Sequence, residues 1–144
     1  MVEQDTIKLL RECDAGVRMG ISSIGDVLDF VGNKEFKSLL DDCRDEHKKI
    51  DSELQKLLDK YKDDGKDPNT IAKGMSWLKT NVMLAVNDSD NTVADLITDG
   101  CNMGVKSLNK YLNKYKSADE VSKDITKRLI NIEEKLAIDI RKFL

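Results

Sequence analysis

Apolar residues recur along this chain at intervals of three and four, in four long stretches separated by polar breaks. Ile7, Leu10, Val17, Ile21, Ile24 and Leu28 share one helical face with Asp14, which predicts a first helix from about Asp5 to Phe30. Gly32 is the expected left-handed stop and Asn33 the cap of the next helix. That second helix carries Phe36, Leu40, Cys43, His47, Ile50, Leu54, Leu57 and Tyr61 on its stripe. A turn this short makes the two helices antiparallel neighbours. Asp63-Asp64-Gly65-Lys66 closes the hairpin.

Asp67-Pro68 then reads as an N-cap followed by proline at the first helical position. Ile71, Met75, Leu78, Val82 and Ala85 predict a shorter amphipathic helix with Trp77 on its flank, and Asn87 to Asn91 is a polar break. A third main helix is expected over roughly Thr92 to Lys116. Ser117-Ala118-Asp119-Glu120 has the form of a capping box for the last helix. Val121, Ile125, Leu129, Ile132, Leu136, Ile140 and Phe143 make the stripe of that helix, and no glycine or proline after Gly104 breaks it before Leu144.

Cys13-Asp14-Ala15-Gly16-Val17 on the first helix has an echo 88 positions on, Cys101-Asn102-Met103-Gly104-Val105, on the third. Two related helix hairpins imply an all-α four-helix bundle with approximate internal two-fold symmetry, each hairpin burying its stripe against the other. The expected organisation is one domain over residues 1–144. Hairpin 1 covers about 5–62, a crossover with its own short helix about 63–91, and hairpin 2 about 92–144. The crossover suffices to travel the length of a main helix, roughly 39 Å for about 26 residues, whereas an up-and-down return needs only a few residues.

Composition narrows the function classes. A single proline, eight glycines and 35% charged residues in 144 suit long solvated helices. A net charge of −3, with lysines interleaved among Asp and Glu, gives no drive towards nucleic acid or an anionic membrane. No apolar run has the length of a bilayer span, and the acidic Met1-Val2-Glu3-Gln4-Asp5 lacks the basic and apolar regions of a signal peptide. Three widely spaced cysteines suggest a reducing cytoplasm rather than a disulfide scaffold.

The chain resembles the ferritin-like superfamily, and more narrowly is similar to a branch of small bacterial ferritin-like bundles of uncharacterised function. The resemblance spans nearly the whole chain and rests on Cys13-Asp14-Ala15-Gly16, on Asp45-Glu46-His47, on the Trp77 segment and on Cys101-Asn102-Met103-Gly104. It implies a bundle in which iron-using members hold two metals with a glutamate from each of two helices and Glu-x-x-His from each of the other two. This chain departs from that pattern. Arg44 stands three residues before His47, Leu136 and Ala137 follow Glu133 and Glu134 at that spacing, and Val17, Ile21 and Ile24 occupy the inward face of the first helix. Oxidation chemistry of the ferritin type is therefore not carried over.

A polar layer remains: Asp14, Asn102, His47 and Glu133 lie on the stripes of four different helices. Its plain reading is internal hydrogen bonding, for instance between Asp14 and His47, that fixes helix register. Its sharper reading is one divalent metal ion held by Asp14, His47 and Glu133, a set suited to zinc, manganese or iron. Cys13 and Cys101, equivalent through the echo, are candidates for a thiol redox pair, against the plainer role of small buried hydrophobes. Gly16, Gly20 and Gly104 read as close-packing positions, Met19, Met75, Met83 and Met103 as core filler, and Tyr111 and Tyr115 as rings over the bundle end. No serine stands at a nucleophile elbow, and a single histidine would have to serve any such base.

The expectation is thus a cytoplasmic, metal-free, non-enzymatic structural or interaction protein with no cofactor. Its partner would be an unidentified protein or a second copy bound through the Trp77 helix. A mononuclear metal protein is the first alternative and a thiol sensor the second.

Overall fold

A computed structural model describes residues 4–65 and 90–144. The expected Trp77 helix, the Asp67-Pro68 cap, Met75 and Met83 lie outside the described residues. Those residues form an all-α bundle of four long helices: α1 (Gln4–Val27), α2 (Lys34–Lys60), α3 (Asp90–Lys114) and α4 (Glu120–Asp139). No described helix is long and apolar enough to cross a membrane.

The helix ends show which parts of the capping chemistry act. Asn33 caps α2 as expected, its side chain accepting from the Phe36 amide at 3.0 Å. Gly32 does not adopt a left-handed conformation. The chain instead leaves α1 through a 3₁₀ turn, Leu28–Phe30, and an extended Val31, and the Gly32 amide donates to Asp90 Oδ1. At the start of α4 the cap is Asp119, two residues later than Ser117, and it accepts from the Ser122 amide at 2.8 Å. Ser117 is used differently, its amide donating to Asp5 across the bundle end. At the other end α4 gives way at Ile140 to a 3₁₀ turn, Arg141–Phe143, without glycine or proline. Tertiary contacts account for this: Phe143 stacks on Phe36 with ring centroids 4.7 Å apart, and its carbonyl accepts from Asn91.

These end contacts fix the topology. The α1–α2 turn meets the start of α3 through Gly32 and Asn33, both donating to Asp90. The α3–α4 turn meets the start of α1 through Asp5 and Thr6. Hence α3 is antiparallel to α1 and parallel to α2. Arg11 forks onto Asp63, tying the exit of α2 to the first half of α1. The end of α2 and the start of α3 therefore lie at opposite ends of the bundle. Besides the two hairpin interfaces, α2 packs on α4, α1 on α3, and α1 also along α4, leaving α2 and α3 on the far diagonal.

The apolar core is divided in two. One cluster, at the α1–α2 turn end, contains Ile24, Val27, Phe36, Leu40, Val93, Ile97, Cys101, Leu136 and Ile140. The other, towards the start of α1, contains Leu10, Cys13, Val17, Ile50, Leu54, Leu108, Ile125 and Leu129. Some stripes are rotated from expectation. Val121 is exposed while Ser122 is buried, and Met19 and Met103 face outward instead of filling the core. Helical periodicity fixes a stripe's existence better than its angular centre when several apolar residues compete for it.

Candidate functional site

Between the two apolar clusters sits a polar waist. His47, at the midpoint of α2 and 2% exposed, faces Glu133 of α4, with Nε2 3.8 Å from Oε1. The imidazole's other nitrogen is fixed from its own helix: Nδ1 lies 2.8 Å from the Cys43 carbonyl oxygen, which only accepts, so Nδ1 carries a proton. Cys43 Sγ lies 3.6 Å from the same nitrogen. Because Nδ1 is protonated, a second proton on Nε2 makes the ring an imidazolium facing the carboxylate. Without any proton between them, a nitrogen lone pair would face a carboxylate in a buried site.

The pair therefore retains a proton. Burial opposes the charge on His47, but the contacts to Cys43 and Glu133 outweigh it and push the group up to about 10. Burial also raises Glu133, with His47 acting against the rise. Both directions describe one proton held by two coupled groups. The site is not saturated: His47 Nε2 and Glu133 Oε2 are buried with no hydrogen-bond partner within ordinary distance.

Glycines make room for both side chains. A Cβ on Gly20 would lie 2.6 Å from the His47 ring, and one on Gly104 would lie 3.0 Å from Glu133 Cδ and collide with its carboxylate. Gly20 and Gly104 are 84 positions apart, and the segments around them match: Gly16, Met19, Gly20 and Ser23 recur as Gly100, Met103, Gly104 and Ser107. Ile21 and Ile24 answer Val105 and Leu108. The spatial repeat is thus one helical turn away from the echo of the cysteines. In each hairpin a glycine of the first helix seats a polar side chain of the second, and the two side chains meet across the α2–α4 interface.

Of the sequence candidates, His47 and Glu133 come together and the others do not join them. Asp14 is fully buried but belongs to a separate cluster, where Gln55 Nε2 donates to its Oδ1 at 2.9 Å and Arg18 Nε lies 3.1 Å away. Its expected hydrogen bond to His47 is replaced by these contacts. Gly65, at φ 83°, approaches the Asp14 carboxylate so closely that a Cβ there would clash. Arg18 stands four residues after Asp14, a spacing visible in the sequence. Gln55 was legible only as a polar residue two turns beyond His47. Asn102 is exposed and leaves the layer. Its place is taken by Gly104, because the register differs from that of the echo.

Cys13 and Cys101 are both buried free thiols, yet they sit in different apolar clusters on opposite sides of the waist. Cys13 contacts Thr126 Oγ1 at 3.1 Å, and burial pushes it up to about 12. Burial raises Cys101 as well, with the charges of Glu133 and Cys43 adding to it. Among the described residues, no group of three or more His, Cys, Asp or Glu side chains is placed to hold a metal ion.

Compared with known proteins, the chain matches no family model, no curated protein and no solved structure.

Proposed function

We propose that this chain is a ferritin-like bundle in which an ion pair occupies the place of the binuclear metal centre, and that its role is structural or protein-binding rather than catalytic. Two features support the likeness: parallel α2 and α3 whose facing ends are a bundle length apart, and a polar layer at mid-bundle. The observation that carries the loss of the metal centre is the composition of that layer. Arg44, whose guanidinium pairs with Asp41, stands where a ligand carboxylate is needed. Val17 is fully buried on the facing helix, and the backbones of Gly20 and Gly104 press on the His47 ring and the Glu133 carboxylate. A buried charge pair of this kind fixes register between helices, since sliding either helix by a turn would strand a charge in an apolar cluster.

A second reading has one specific observation in its favour. The orphaned His47 Nε2 and Glu133 Oε2 are two buried donor atoms aimed into the same layer, as a single divalent ion would require. Elemental analysis of protein purified without chelator, alongside a His47→Ala variant, decides between the two. Sub-stoichiometric metal, unchanged in the variant, fits the ion-pair bundle; one ion per chain that vanishes with His47 overturns it. Light scattering over a range of concentrations tests whether the partner is a second copy.

A further inference from the structure

The interior offers two protected thiols and one that reaches the surface. Cys43 is half-buried and lines a groove between α2 and α4, together with Leu39, Asp42, Glu46, Lys135 and Asp139. The groove has a volume of about 60 Å³. That is room for a few molecules of the size of water or hydrogen peroxide. Three carboxylates against one lysine on its walls disfavour anionic reagents. On the inner side of the sulfur stands His47 Nδ1, 3.6 Å away, on a ring whose positive charge Glu133 sustains. Thiol, imidazolium and carboxylate are thus in series, Cys43–His47–Glu133, so that a positive charge held by a third group lies beside the sulfur.

We propose that Cys43 is a modification site, a thiol beside a carboxylate-held imidazole in a small acidic groove, which low-molecular-weight neutral hydroperoxides convert to sulfenic acid. In the step the sulfur attacks one peroxide oxygen, an S–O bond forms and the O–O bond breaks. Sulfur loses two electrons and the peroxide gains them. The departing hydroxide leaves as water with the proton that the thiol gave up, so Cys–SH and H₂O₂ yield Cys–SOH and H₂O. The His47 imidazolium faces the negative charge that sulfur carries during the attack. It acts by position, since Nδ1 already donates to the Cys43 carbonyl. This reading rests on the ion-pair form of the waist given under the proposed function, because a metal ion on Nε2 would displace the proton that makes the ring an imidazolium. It also replaces the expected Cys13–Cys101 pair, whose thiols are enclosed in apolar clusters.

The test treats the folded protein with hydrogen peroxide in the presence of dimedone and maps adducts by mass spectrometry. Adducts are expected at Cys43 alone, with Cys13 and Cys101 labelled only after denaturation. The groove is read independently with paired alkylating agents. Iodoacetamide should modify Cys43 faster than anionic iodoacetate by about fivefold more than it does for a free thiol, and added salt should narrow the gap. Glu133→Gln should slow peroxide attack by about tenfold at unchanged helicity, because the imidazolium loses its counter-charge. Adducts spread over all three cysteines, or a Cys43 that reacts no faster than the denatured chain and ignores reagent charge, overturn the proposal.

Discussion

The two hairpins solve one packing problem with opposite chemistry. In the first, Gly20 on α1 opens space for an imidazole on α2; in the second, Gly104 on α3 opens the equivalent space for a carboxylate on α4. The flanking residues are nearly the same, Gly-x-x-Met-Gly with an aliphatic next, and the exposed Met19 and Met103 answer each other on the outer surface. The seated side chains differ in sign, and that difference lets them meet as a pair. Two copies of either one would place like charges in a buried layer. An internally repeated bundle thus becomes asymmetric at a buried layer where its halves touch with polar groups.

Exchanging the seated groups tests this most severely. His47→Glu alone would face two carboxylates across the waist, and Glu133→His alone two imidazoles. Each should cost about 3–5 kcal/mol, the range for breaking a buried pair by altering one partner. The double exchange, His47→Glu with Glu133→His, should recover most of that loss in a urea unfolding series. Recovery by less than a quarter would mean that the seats are not equivalent. Replacing both groups by leucine should be nearly neutral or stabilising, as for other buried ion pairs.

Acidity comes next. The folded state holds His47 charged up to about 10, whereas in the unfolded chain it loses its proton near 6.5. Above 6.5 the folded state binds more protons, so stability falls as pH rises. The pair's contribution is fully present below pH 6.5 and is lost progressively towards pH 10. Unfolding free energies measured across that window should decline for the native chain and flatten for His47→Asn. A parallel decline in both would remove the pair as the cause.

Smaller effects separate the glycines. Gly20→Ala and Gly104→Ala should each cost about 1–3 kcal/mol by overpacking the waist. Gly100→Ala meets nothing within 4 Å on an exposed helical face, so it should stabilise by about 0.5–1 kcal/mol. Thermal midpoints of the three variants check this directly; a Gly104→Ala as benign as Gly100→Ala would contradict the seat.

The helices, the Asn33 cap and the polar identity of His47 and Glu133 were legible in the chain, because they depend on residues within a turn or two of each other. The partnership of Asp14 was not. Its nearest equal on paper was His47, but Arg18 on its own helix and Gln55 on the next one claim it. The cysteines misled for a related reason. Cys13 and Cys101 make the more conspicuous repeat, yet they stand 88 positions apart where the glycine seats stand 84 apart. Both registers keep the apolar stripes aligned, since four residues is close to one helical turn.

Local periodicity and short turns were therefore enough to determine four helices and two antiparallel hairpins. Which turn of one hairpin stands level with which turn of the other was decided only in the folded bundle. Apolar stripes slide past each other by a turn at little cost. The shape of two glycine seats, and the charges they hold, admit one alignment alone.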